Sequence, residues 1–243
     1  MKKYPYALRM AFQYDRKEFL IFLLSSVFSG FILSFRKWGT DAFNPAEGVA
    51  NFIQFTLLFI IIYFVFVSAQ KYFAAYLGYE CKYDLWMFGP VIGLMITFMT
   101  YGYIPFLYLG TVHLTEIPRL RLGKLIQFVK FGDLRWVGLV GPLGVLALMA
   151  FIILPLYFAG GGEFFKNATL VAAAIMFFSS LPLPNTNGMN VIMRSFSFWV
   201  VYFVLGIILL ALMLPFEFGA YVVATILTII IIWGFSRVLK LYY

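Results

Sequence analysis

The chain has 243 residues, of which 63% are hydrophobic and only 12% are charged, and so low a charged fraction indicates an integral membrane protein rather than a soluble domain. The formal net charge of +8 is not taken as a sign of nucleic-acid binding, because Lys and Arg in a membrane protein mark the loops that face the cytoplasm. We therefore expect contact with the lipid bilayer and no nucleic-acid partner, and the single cysteine, Cys81, excludes an internal disulfide bond and a cysteine-rich metal site.

The first part of the chain predicts a membrane-surface segment followed by two transmembrane helices. Residues 1–18 combine aromatic side chains with five basic ones, which is typical of a segment lying on an anionic membrane surface. Two apolar stretches, 19–35 and 52–77, follow and are separated by the polar loop 36–51. We expect each apolar stretch to span the membrane.

The stretch 85–110 is long enough to cross a membrane, but it contains several glycines and prolines. The distribution of basic residues decides between crossing and returning, because cytoplasmic loops are enriched in Lys and Arg. If the stretch returns to the side from which it starts, 15 of the 18 Lys and Arg residues lie on the cytoplasmic side. We therefore predict a re-entrant or surface hairpin at 85–110 and place both termini in the cytoplasm.

Four further apolar stretches predict the remaining transmembrane helices. They lie at 136–158, 168–184, 195–214 and 217–235. The expected fold is an all-α, polytopic bundle in the cell membrane, with about six transmembrane helices and one hairpin. We expect a single transmembrane domain that comprises residues 1–243.

The fourth predicted span ends in the sequence Ser-Ser-Leu-Pro-Leu-Pro-Asn-Thr-Asn-Gly. Pro182 and Pro184 cannot continue a helix, because proline lacks a backbone N–H and clashes with the preceding turn. Polar side chains follow directly, and lipid tolerates such a segment only where protein or a water-filled cavity supplies hydrogen-bond partners. The pattern therefore predicts a polar site inside the helical bundle.

This segment resembles the motif Asn-x-x-Pro-x-Pro-x-x-Asp-Gly of the site-2 proteases, which are intramembrane zinc metalloproteases. Ser179 stands at the position of the Asn, and Pro182 and Pro184 stand at the two prolines. Gly188 stands at the glycine, whereas Asn187 occupies the position of the Asp that binds zinc in the family. An amide is neutral and is a much poorer ligand for a divalent cation than a carboxylate.

A second part of the resemblance lies at the end of the second predicted span. Archaeal-type members of the family carry a basic residue, an Ala and a Gly-Tyr pair after their His-Glu-x-x-His motif. Lys71, Ala74 and Gly78-Tyr79 stand at those places. Gly141-Pro142-Leu143 also resembles a Gly-Pro-Leu that the family has near the start of a later helix.

This alignment places residues that neither bind zinc nor activate water at the positions of the His-Glu-x-x-His motif. In that motif the two His bind zinc and the Glu activates water. Phe66 and Gln70 stand at the His positions, and Val67 stands at the Glu. The resemblance therefore implies a site-2-protease fold in which Phe66, Val67, Gln70 and Asn187 cannot support catalysis, and we expect no zinc.

The residues at this degenerate site also have a purely structural interpretation. Gln70, Asn185 and Asn187 would hydrogen-bond between helices, at about 0.6–2 kcal/mol per contact. Either amide–amide contacts or trapped water would satisfy them, because unpaired polar groups in lipid are costly. Lys71 is expected to extend its ammonium group to the membrane surface.

The leading functional hypothesis is a catalytically inactive, site-2-protease-like protein that binds or scaffolds membrane-protein partners. One alternative is a residual intramembrane metalloprotease or hydrolase whose ligands are not recognised. A second alternative is a small transporter or channel, which we disfavour because no predicted span carries an ionisable residue near its middle.

Overall fold

The computed structural model describes residues 14–39, 43–86, 88–116 and 131–213, which are mostly helical. They form the helices α1 (Arg16–Ser34), α2 (Pro45–Leu77), α3 (Phe88–Met99), α4 (Phe131–Leu148), α5 (Gly162–Ser180), α6 (Asn187–Ile192) and α7 (Phe196–Met213), with the strands β1 (Tyr79–Asp84) and β2 (Thr111–Glu116). The predicted span 217–235 and most of the predicted surface segment 1–18 lie outside these residues.

Three helical stretches are long and apolar enough to cross a membrane. They are Arg16–Ser34, Pro45–Leu77 and Gly132–Phe158. They coincide with the first three transmembrane helices that the sequence predicts, and α5 and α7 lie at the next two. The structure is therefore consistent with a helical membrane protein.

Helices α1 and α2 form an antiparallel pair. Gly30 lies so close to α2 that a Cβ atom there would come within 2.2 Å of Thr56 Oγ1. Small residues at such contacts let two helix backbones approach closely in lipid. Helix α2 begins at Pro45, after Asn44, whose side-chain oxygen accepts hydrogen bonds from the amides of Ala46 and Glu47, as expected of an N-cap.

The first turn of α1 lies within the stretch 1–18, of which the structure describes residues 14–18. In this turn Arg16 and Lys17 are exposed, whereas Glu18 is buried. An acidic residue in the first turn interacts favourably with the positive end of the helix dipole. It also meets a buried cation, Lys71.

A two-stranded antiparallel sheet follows α2, and the all-α prediction is wrong on this point. Gly78 ends α2 with a left-handed backbone (φ 87°) and turns the chain into β1. In β1, Tyr79, Cys81 and Tyr83 are buried, and the residues between them are more exposed. This alternation is the period of a strand with one covered face.

The sheet brings both ends of the 85–110 stretch to one place, because Asp84 pairs with Thr111. Helix α3 is the helical part of that stretch and has 12 residues. Its length of about 18 Å is shorter than a hydrocarbon core of about 30 Å. After α3 the chain returns beside it, and Gly93 packs against the backbone oxygen of Phe106.

Helix α4 continues irregularly beyond its last regular turn. Two π-helical segments, Met149–Ile153 and Tyr157–Gly161, flank the short helix Leu154–Leu156. Gly160 interrupts the second segment with φ 101°, and α5 then runs back along the bundle. The hydrophobic core lies where α2, α4, α5 and the sheet meet.

Candidate functional site

The Pro-x-Pro segment connects α5 to α6 through a turn organised by Thr186. Its hydroxyl lies 2.7 Å from the backbone oxygen of Leu181 and 2.8 Å from that of Leu183. The same oxygen accepts from the amide of Met189 and so caps α6. Helix α5 ends at Ser180, as the two prolines require.

Gly188 lies at the closest contact of this turn. A Cβ atom at Gly188 would come within 2.2 Å of the backbone oxygen of Ser180 and 2.4 Å of that of Leu181. Backbone atoms cannot move aside as a flexible side chain can. The glycine at this motif position is therefore required by packing, whatever the site does.

Replacing Gly188 by Ala should destabilise the folded chain by about 1–3 kcal/mol or more, because the added methyl group overpacks a backbone contact. Chemical denaturation of the purified protein measures this change. Gly132→Ala is the matched control, since nothing lies within 4 Å of a Cβ atom there. Equal stabilities of the two variants would contradict the close contact at Gly188.

Asn187 joins the Pro-x-Pro segment to the sheet. It is 1% exposed, and its Oδ1 atom accepts a hydrogen bond from Thr111 Oγ1 at 3.0 Å. Asn190 Nδ2 donates to the same hydroxyl at 3.1 Å. Tyr108, just before β2, donates from its hydroxyl to the backbone oxygen of Pro184. The returning part of the 85–110 hairpin and the start of β2 are therefore hydrogen-bonded to the Pro-x-Pro segment and α6.

Gln70 and Asn187 pack against the same face of α4. A Cβ atom at Gly141 would lie 2.9 Å from Gln70 Nε2, and one at Gly138 would lie 3.7 Å from the backbone oxygen of Asn187. Residues three apart on a helix share one face. The structure thus brings the two residues, which are 117 positions apart in the sequence, to neighbouring turns of one helix.

The other residues of the degenerate site have separate packing roles. Phe66 and Val67 are fully buried, and the Phe66 ring stacks on Tyr63 with a centroid distance of 5.4 Å. Ser179 Oγ lies 2.5 Å from the Tyr202 hydroxyl and so joins α5 to α7. Pro182 and Pro184 are exposed. Ser179 thus makes a polar contact with α7, whereas Phe66 and Val67 pack in the apolar core.

The surface position expected for Lys71 is wrong. Lys71 is 0% exposed, and its Nζ atom lies 2.5 Å from Glu18 Oε1 and 3.8 Å from the centroid of the Tyr14 ring. Glu18 also accepts from the backbone amide of Tyr83 at 2.7 Å. Successive helix residues point about 100° apart, so Lys71 faces α1 while Gln70 faces α4. Burial is tolerated because the Lys71 charge is paired with Glu18, and the Glu18 carboxylate also accepts a hydrogen bond.

Other ionisable side chains do not assemble into a metal site in the described ranges. No group of three or more His, Cys, Asp and Glu residues is close enough there to hold a metal ion. His113 Nε2 lies 3.6 Å from Asp84 Oδ2, and both side chains are largely exposed. Cys81 is buried, and burial raises the pKa of its thiol to about 12.

The described residues define a helical protein with three helices able to span a membrane and a buried polar contact at a broken helix end. No family model, curated protein or solved structure matches the chain. The resemblance to site-2 proteases therefore rests on the motif residues themselves.

Proposed function

We propose that this chain is a multi-pass membrane protein with a catalytically inactive, site-2-protease-like centre, and that it binds membrane-protein partners without cleaving them. The observation that supports this proposal best is the placement of Gln70 and Asn187. These residues stand where the family has zinc ligands, and both pack on one face of α4, with the Gln70 amide at Gly141 and the Asn187 backbone oxygen at Gly138.

The side chains at this centre do not provide the chemistry of metal-dependent hydrolysis. Such hydrolysis needs a metal that activates water and a base that accepts its proton. Phe66 and Val67 carry no lone pair, and the amides of Gln70 and Asn187 are neutral and do not accept a proton at physiological pH. What remains is a well-packed junction between α2, α4, α6 and the sheet.

The proposed topology has six transmembrane helices, a re-entrant hairpin at 85–110 and both termini in the cytoplasm. The pairing of Asp84 with Thr111 supports the hairpin, because the stretch starts and ends at adjacent strand positions. The concentration of 15 of the 18 basic residues on one side supports the orientation. In this arrangement the sheet and the Pro-x-Pro segment belong to the cytoplasmic half of the protein.

Metal analysis tests the proposal. The native protein should contain no stoichiometric zinc and should leave transmembrane peptides uncut after co-reconstitution in liposomes. The triple variant Phe66→His, Gln70→His, Asn187→Asp should bind about one zinc ion per chain, because it restores two His and one carboxylate as ligands. The double variant that keeps Asn187 is the matched control and should bind zinc more weakly.

Two results would contradict the proposal. About one zinc per native chain, lost on Gln70→Ala, would identify an active metal site and favour the metalloprotease alternative. A triple variant that is folded by circular dichroism but binds no zinc would show that the centre lacks the family's geometry.

A further inference from the structure

Two buried amide side chains lack hydrogen-bond partners within the described ranges. Neither Nε2 nor Oε1 of Gln70 has a partner there, and Asn187 Nδ2 also has none. Both residues are 1% exposed. Buried polar groups in folded proteins are nearly always hydrogen-bonded to protein or to ordered water, so these three atoms need a partner.

Direct pairing of the two amides does not satisfy them. An amide–amide hydrogen bond between Gln70 and Asn187 would give both side chains a partner, and the structure contains no such bond. The Oδ1 atom of Asn187 is already used by Thr111, and Asn190 donates to the same hydroxyl. Of the two ways to satisfy this junction, amide contact or trapped water, only the second remains for these atoms.

The unpaired atoms specify the chemistry of the missing partner. Gln70 offers two N–H donors and one acceptor, and Asn187 Nδ2 offers further donors. The two side chains that hydrogen-bond at the Asn187 end of this junction, Thr111 and Asn190, are uncharged as well. A partner that both donates and accepts, without charge, fits this set, and water is the smallest such molecule.

We propose that a water molecule binds in this junction, beside the glycine positions of α4, and hydrogen-bonds to the side-chain amides of both Gln70 and Asn187. Gly138 and Gly141 are about 5–6 Å apart along that face, as helix residues three apart are. The Gln70 amide packs at Gly141, and the Asn187 backbone oxygen packs at Gly138. A buried water typically makes about three hydrogen bonds to groups that would otherwise be unsatisfied.

A double-mutant cycle tests the bridge through stability. Gln70→Met and Asn187→Leu each remove an amide and keep the size of the side chain. Each should lower the folding equilibrium constant about tenfold, because the water and the remaining amide lose a partner. The double variant should be no less stable than the less stable single variant. Either substitution alone already breaks the bridge, so the second one has no bridge left to break.

The double-mutant cycle has a matched control, and one result of the cycle would contradict the water bridge. Thr169→Val removes a buried hydroxyl that donates, among the described residues, to the Phe165 backbone oxygen of its own helix α5, so its effect should add to that of Gln70→Met. If the effects of the two amide substitutions instead add, whether they stabilise or destabilise the chain, no shared water bridges the two amides. That result would overturn the proposal.

Nuclear magnetic resonance detects the water directly. In protein labelled with ¹⁵N-glutamine and held in lipid nanodiscs, the Gln70 side-chain amide should show a cross-relaxation peak to water. Gln70→Met assigns the resonance by removing it. A Gln70 amide peak without a water contact would show that another group satisfies it, and would overturn the proposal even if the variants were destabilised.

Discussion

Replacing Lys71 by Met should destabilise the folded protein by about 3–5 kcal/mol, the usual cost of leaving one partner of a buried ion pair alone. The Nζ atom of Lys71 lies 2.5 Å from Glu18 Oε1, and the side chains are 0% and 5% exposed. Without Lys71, the Glu18 carboxylate would retain the backbone amide of Tyr83 as its charge-stabilising contact. Denaturant titration in mild detergent measures the loss.

Two controls separate the ion pair from general disruption. Glu18→Gln combined with Lys71→Met removes both charges and should recover much of the lost stability, because no uncompensated charge stays buried. Lys82→Met removes an exposed cation 3.3 Å from Glu80 and should change stability by no more than about 1 kcal/mol. If Lys71→Met changed stability as little as Lys82→Met, Lys71 would be solvated at the membrane surface and not buried in an ion pair.

The long helices could be predicted from sequence because one local property determines them. A membrane span needs about 20 mostly apolar residues, so the run of such residues locates α1, α2 and α4 without knowledge of their neighbours. The end of α5 could also be predicted, because Pro182 and Pro184 stop a helix by their own geometry.

The sheet was missed for a physical reason. Each strand has six residues, and runs this short do not stand out beside longer apolar helices. Residues Tyr79–Asp84 do alternate between buried and more exposed positions. The strand that pairs with them, however, begins only at Thr111. Pairing across the intervening hairpin depends on tertiary structure, which sequence periodicity does not report.

The candidate site was predicted in part. The motif comparison indicated Gln70 and Asn187, and the structure places both on one face of α4. It gave no indication of Thr186 or Thr111, although Thr186 stands one residue before α6 as an N-cap residue does. A threonine hydroxyl can hydrogen-bond to many kinds of partner, so its role depends on which groups the fold brings near it and not on its spacing in the sequence. The Glu18–Lys71 pair was missed for the same reason.

Native Cys81 should react with a maleimide about 1000 times more slowly than an ordinary thiol at neutral pH. The attacking species is the thiolate, and burial raises the pKa of Cys81 from 9.0 to about 12. This value includes two smaller opposing effects: the nearby Lys71 charge lowers the pKa, and the Glu18 charge raises it. Below both pKa values, a difference of about three units reduces the thiolate fraction about 1000-fold. Steric exclusion at 4% exposure acts in the same direction.

The neighbouring position on β1 supplies the comparison. Lys82→Cys in a Cys81→Ala background places a thiol on the exposed side of the same strand, where the lysine side chain is 59% exposed. That thiol should be labelled rapidly, with a rate that levels off above its pKa. The rate for native Cys81 should instead keep rising about tenfold per pH unit through pH 10–11, and denaturation should remove the difference. Equal labelling rates in the folded protein would contradict the buried face of β1, and with it the packing of this strand against α1 and α2.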